Sequence, residues 1–236
     1  RKHASPSVKM MLASALLCAP LALAARSGGL ARAPPRFGAR MMATATATDG
    51  SAVPSVTFKT RVRIDSKDPN PFDWKDVSSE DLFKGKRVVL FSLPGAFTPT
   101  CSSFQLPGYE AAYEQMKALG IDDVYCLSVN DAFVMRQWGL KQGMAEDMTF
   151  GANGFTKVKL LPDGACLFTR GMGMSTLWEK ERGFGERSWR YSCVINDMKV
   201  EKMFIEGGKV IQEHGPDPYE VSDEKTMLSY LQSVKK

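Results

Sequence analysis

Histidine is nearly absent from this chain. Of 236 residues only His3 and His214 carry an imidazole, and a Ser-His-Asp or Cys-His relay in the main body of the protein would have to depend on His214 alone. Cysteine is scarce in a telling way. Cys18 lies near the N-terminus, and Cys101, Cys126, Cys166 and Cys193 follow with no C-x-x-C pair and none of the spacing that structural zinc sites use. Zinc ribbons and thioredoxin-type dithiol motifs are excluded. Acidic residues are missing from one region: residues 1–48 hold seven Lys/Arg and no Asp or Glu, so residues 49–236 carry 24 basic side chains against 26 acidic ones. The formal charge of +5 therefore belongs to the leader, and a slightly acidic body offers no electrostatic ground for nucleic-acid binding. A long apolar run is also lacking. Residues 10–25 are apolar, but the stretch is short for a span and is interrupted by Pro20.

What the leader does contain is a short basic flank, this apolar stretch, and a small-residue close at Ala22-Leu23-Ala24, the pattern of a secretory signal. An Arg-, Ala- and Thr-rich segment with Pro34-Pro35 follows, the composition of an organelle transit peptide. Together these resemble the bipartite presequence of proteins imported into complex algal plastids, with the mitochondrion as the alternative destination. The expected organisation is a presequence over residues 1–48, removed to leave a mature form with no membrane segment, and one folded domain over residues 49–236.

Within that domain, residues 56–64 alternate and residues 87–93 are a β-branched apolar run, predicting two strands with a Pro-rich loop (Pro69, Pro71) and a short turn at Asp81-Leu82-Phe83 between them. Helical spacing then runs from Cys101 to Leu119, with a break expected at Pro107-Gly108. Strands at residues 124–129 and 157–161, a helix at residues 132–141, a hairpin at residues 191–195 and 200–205, and a closing helix at residues 224–234 complete the pattern. The order predicts an α/β fold with a central mixed sheet flanked by helices.

Cys101 falls at a strand-to-helix junction, where unpaired N–H groups and the helix dipole favour thiolate over thiol. Thr98 is placed as N-cap with Pro99 in the first turn, its hydroxyl one turn from the sulfur, and Pro94 and Pro99 stiffen the loop. The same residues also describe a capped helix with an ordinary buried cysteine behind it.

The segment Pro94-Gly-Ala-Phe-Thr98-Pro-Thr-Cys101 resembles the P-x-x-x-T-x-x-C signature of peroxiredoxins, in the form found in the type II subgroup. Leu106-Pro107-Gly108-Tyr109, the run from Cys126 to Val134, and Arg190-Tyr191-Ser192 resemble three further family motifs in the same order. The resemblance implies a thioredoxin-like fold and a peroxidase in which Cys101 attacks the O–O bond of a hydroperoxide to form a sulfenic acid. It also implies that Arg190 binds sulfur and peroxide, Thr98 orients the peroxide and Pro94 shields the pocket, with Arg187 as the alternative arginine. No cofactor is implied. Cys126, 25 positions after Cys101, stands where plant-like type II members carry a resolving cysteine, the other reading being a packed strand residue. Glutathione, a glutaredoxin or thioredoxin is the implied reductant. Cys166 and Cys193 read as structural, His214 as an exposed loop residue, and Gly171 to Met174 as a flexible loop. Phe97 and Trp178 are candidates for an apolar wall or a homodimer contact, Phe97 being equally compatible with the core.

Overall fold

A strand that reads Arg-Val-Val-Leu-Phe-Ser-Leu, apolar at five of seven positions and buried from Val88 to Leu93, must be covered on both faces. In the computed structural model, which describes residues 45–64, 71–147, 154–178, 183–209 and 217–235, that strand is β3 (Arg87–Leu93), the third of five in the central sheet. The leader up to residue 44, Pro69 and His214 lie outside the described residues. β4 (Asp123–Ser128) pairs parallel to β3, and β5 (Lys159–Pro162) parallel to β4. On the other side β8 (Tyr191–Asn196) and β9 (Lys199–Ile205) add antiparallel, giving the order β5-β4-β3-β8-β9. The sheet is mixed, as the alternation of strands and helices followed by a hairpin predicts.

The pleat divides the core in two. Val89, Phe91, Leu93, Val124, Cys126, Leu160 and Val194 face α2 (Leu106–Ala118), α3 (Ala132–Lys141) and α5 (Glu224–Ser233). Val88, Leu90, Tyr125, Leu127, Leu161, Cys193 and Ile195 face the opposite layer, where Phe58, Phe83 and Phe168 pack together. That layer is built from the hairpin β1 (Thr57–Arg63) and β2 (Phe72–Ser78), together with α1 (Ser79–Phe83) and α4 (Leu167–Gly171). A second hairpin, β6 (Ser175–Trp178) with β7 (Gly185–Ser188), precedes the sheet's antiparallel half.

Several expectations are corrected. β2 replaces part of the expected Pro-rich loop: its residues are mostly exposed, so it lacks the alternation that marks a strand, and it is held only by pairing with β1. The Asp81-Leu82-Phe83 turn is part of α1, whose Ser78 and Asp81 form a reciprocal capping box. The expected break at Pro107-Gly108 is displaced upstream. Pro107 has no N–H to give the carbonyl of Ser103, and the chain widens into a π turn over Cys101–Gln105, closed by the Leu106 N–H on the Cys101 carbonyl, before α2 continues unbroken. Met172 and Met174 are fully buried, so residues 171–174 are a packed turn and not a flexible loop. Trp178 is buried edge-on against Trp189 and belongs to the core, whereas Phe97 is half exposed. At the N-terminal side, Ala47 is buried and donates its N–H to the Met172 carbonyl, and residues 49–53 line the edge of β9 through bonds to Met198 and Val200.

Two predictions concern stability. A Cβ on Gly139 of α3 would run into the ring of Phe155 and come within 2.9 Å of Leu160, so Gly139→Ala is expected to cost about 1–3 kcal/mol in urea unfolding. Gly108→Ala meets only the movable Glu224 carboxylate and is expected to cost less. Glu201 is held below the usual carboxylate range chiefly by its hydrogen bond from Arg87, which it meets in a two-pronged pair. A depressed folded-state value means that stabilisation is present above the unfolded value and lost as pH falls through the folded one. Glu201→Gln should therefore be the less stable protein at neutral pH by about 1 kcal/mol, with the gap closing as both are titrated below about pH 4.

Candidate active site

The end of β3 delivers the chain into the loop that carries the cysteine. Pro94 and Gly95 are buried directly after the strand, and the backbone reverses at Phe97, whose φ of 65° is uncommon for a residue with a side chain. Asn130, two residues past β4, steadies this reversal by accepting the Ala96 N–H at 3.0 Å. Thr98 sits just ahead of the helical turn, as expected of an N-cap, but its hydroxyl turns back and donates to the Gly95 carbonyl at 2.8 Å, while its own carbonyl accepts the Ser102 N–H. Cys101 opens the π turn with its side chain fully buried in the core beneath α2.

Arg190 reaches this sulfur from the opposite half of the sheet. It immediately precedes β8, is 1% exposed, and directs Nη1 to Cys101 Sγ at 3.5 Å and to the Gln105 Oε1. Its other terminal nitrogen, Nη2, donates to Asp217 Oδ1 at 2.5 Å, and the Tyr219 ring lies 5.8 Å from the guanidinium carbon. Burying a guanidinium is costly unless it is paired, and here an amide oxygen and the sulfur take Nη1 and a carboxylate takes Nη2, while Nε is buried without a hydrogen-bond partner. Arg187, the alternative arginine, goes elsewhere. It donates to the Val129 and Phe184 carbonyls and packs against Gly95, bracing the loop.

Of the residues singled out in the sequence, Pro94, Thr98 and Cys101 thus share one loop and the turn that follows it, and Arg190 meets the Cys101 sulfur. Gln105 and Asp217 were missed. Gln105 carries a signal in retrospect, since it lies one turn after Cys101 on the same helical face, but Asp217 is remote in sequence and has none. Cys126 lies in the middle of β4, opposite Phe91 and Leu160, and shares the core cluster of Cys101. Burial holds its thiol well above the ordinary range, and a charge on Cys101 would raise it further. Cys193 is buried on the other face of the sheet, and Cys166 caps α4 in a left-handed conformation, with burial the main reason its thiol is pushed up to about 12. All four described cysteines are free thiols. Among the described residues no group of His, Cys, Asp or Glu has the makings of a metal site, and no helix is long and apolar enough to cross a membrane.

A buried cysteine at a helix start, with an arginine N–H on its sulfur, is suited to nucleophilic attack on a small electrophile that carries its own leaving oxygen. Comparison with known proteins agrees. The Redoxin family model matches residues 48–217. Peroxiredoxin sll1621 of Synechocystis is 57% identical over 186 residues, covering 78% of this chain and 90% of that protein. The chain belongs to the peroxiredoxin family. Peroxiredoxin-2E-2, chloroplastic, of rice is 36% identical over 190 residues, covering 80% of this chain and 78% of its own length. The crystal structure of reduced Prx3 from Vibrio vulnificus in complex with hydrogen peroxide superposes with a TM-score of 0.61 at 33% identity, covering 79% of this chain and 97% of that one. The fold is accordingly thioredoxin-like, and the protein is a thiol-dependent peroxidase that takes a hydroperoxide and a thiol reductant.

Thiol reactivity in this peroxiredoxin should be unequal. Of the described cysteines, Cys101 has a cation donating to its sulfur, while burial raises the thiols of Cys126, Cys166 and Cys193. Brief alkylation of the native, reduced protein with iodoacetamide at neutral pH, followed by peptide mass mapping, is expected to label Cys101 ahead of the other three.

Proposed function

We propose that Cys101 is the peroxidatic cysteine, with Arg190, Thr98 and Pro94 as its working environment. The observation that carries this reading is the guanidinium N–H on the Cys101 sulfur inside a buried pocket. The thiolate attacks the terminal oxygen of R–O–O–H. An S–O bond forms, the O–O bond breaks, and RO⁻ leaves and takes up a proton, giving an alcohol or water and Cys101 sulfenic acid. Negative charge moves from sulfur to the departing oxygen, and Arg190, charged at any working pH, offers fixed donors along that path. The hydroxyl of Thr98, anchored on Gly95, orients the bound oxygens, and buried Pro94 keeps bulk water from the sulfur.

The sulfenic acid is returned to thiol by an external thiol of the glutathione or glutaredoxin kind, as in type II peroxiredoxins. The burial and raised thiol of Cys126 support this route. The second reading, in which Cys126 attacks the sulfenic acid to form a disulfide, is favoured by its presence in the same core cluster as Cys101. It demands more of the fold, because a disulfide needs Cα atoms within about 7 Å and Cys126 is fixed in a central strand. Since Cys101 is itself fully buried, the π turn must loosen before either thiol can reach it.

The leader composition supports delivery to a plastid. Removal is proposed ahead of Ala45 and not at residue 48, because Ala47 is buried in the folded body. The half-exposed Phe97 beside the site supports a homodimer contact.

Intact mass after one equivalent of hydrogen peroxide tests the chemistry. A gain of about 16 mass units, kept in Cys126→Ser and lost in Cys101→Ser, is expected of the external-thiol route. A loss of about two mass units that either substitution abolishes would assign the resolving role to Cys126, and an unchanged mass would sink the role of Cys101.

A further inference from the structure

Glu206, immediately after β9, is 2% exposed, and one oxygen of its carboxylate accepts from four donors: the N–H groups of Glu220, Val221 and Ser222 and the hydroxyl of Ser222, all at 2.8–2.9 Å. Its main chain faces the other way. The Glu206 N–H donates to the Arg190 carbonyl at 3.2 Å, and its carbonyl accepts the Trp189 indole N–H at 2.8 Å. One residue therefore ties the backbone that presents the arginine to the segment from Asp217 to Ser222. The hydroxyl of Tyr109, on α2, fastens the same segment by donating to the Ser222 carbonyl at 2.8 Å. From this strap Asp217 reaches Arg190 Nη2.

We propose that Asp217 is a positioning residue for Arg190, and that Glu206 sets where Asp217 stands. This rests on the assignment of Cys101 and Arg190 made above. A guanidinium is planar, so a carboxylate fixed on Nη2 fixes the direction of Nη1, and Nη1 is the atom that meets the sulfur. The carboxylate has a second effect of opposite sense. It is a negative charge that shares one cation with Cys101, so it penalises the thiolate even as it aims the donor. The neighbouring ionisable groups include Cys126, Tyr219 and Tyr109, whose burial keeps them neutral at physiological pH, and the carboxylates of Glu224, which accepts the Tyr219 hydroxyl at 3.1 Å, and Asp223. A residue with a merely structural role would not separate these two effects.

The test uses the full chain. The pH dependence of iodoacetamide alkylation at Cys101 gives the thiolate midpoint, and oxidation by hydrogen peroxide on the alkylation plateau gives a rate free of that midpoint. Asp217→Asn, whose amide oxygen still accepts from Nη2, is expected to lower the midpoint by about half a unit or more while keeping most of the plateau rate, and Asp217→Ala, which removes the acceptor, to cut the plateau rate about tenfold, with Asp217→Glu restoring most of it. Glu206→Ala should reproduce the loss of rate; if it does not fold, Asp217→Ala decides alone. An unchanged rate in Asp217→Ala overturns the proposal, and so does an unmoved or raised midpoint in Asp217→Asn. Should the parent Cys101 fail to take oxygen from peroxide, the site assignment falls, while the alkylation midpoints still report whether Asp217 acts on Arg190.

Discussion

The buried guanidinium of Arg190 is the constraint around which the proposed active site is assembled. A cation at 1% exposure has to find its partners inside the protein, and each partner comes from a different stretch of chain: Cys101 and Gln105 from the π turn, Asp217 from the strap before α5. Removing one partner of a buried charge typically costs about 3–5 kcal/mol, because the charge left behind is uncompensated, so these stretches depend on one another through it. The site is thus a joint in the fold as well as the proposed place of chemistry. The π turn is where that joint can give, because Pro107 has already removed one regular helical bond from it.

Most of the framework was legible in the chain. β3 and α3 fall where their patterns place them, because a buried strand and an amphipathic helix each bury a periodic set of side chains. The elements that escaped are those held by something other than periodicity. β2 exists by pairing with β1, and α4 is five residues long and fastened by Asp163, whose carboxylate accepts the Phe168 and Thr169 N–H groups. At the site, Pro94, Thr98, Cys101 and Arg190 were readable because they sit in short motifs. Asp217 was not, since its role is set by where the chain returns, 27 residues after its partner. Thr98 shows a subtler limit: its place in the chain was readable, but the turn of its hydroxyl toward Gly95 depends on the backbone reversal at Phe97.

The pleat of the sheet also decides which sulfurs can meet. Cys126 and Cys193 both lie in central strands, yet they project to opposite sides, Cys126 toward Cys101 and Cys193 into the layer beneath. The sheet is a partition through which no side chain passes. On the chemistry proposed for Cys101, its sulfur shares a side of the sheet with Cys126 and is walled off from Cys193 while the strands stay paired. Parity along two strands, a property of backbone geometry alone, would then act as a chemical safeguard that keeps oxidising equivalents on one side of the molecule.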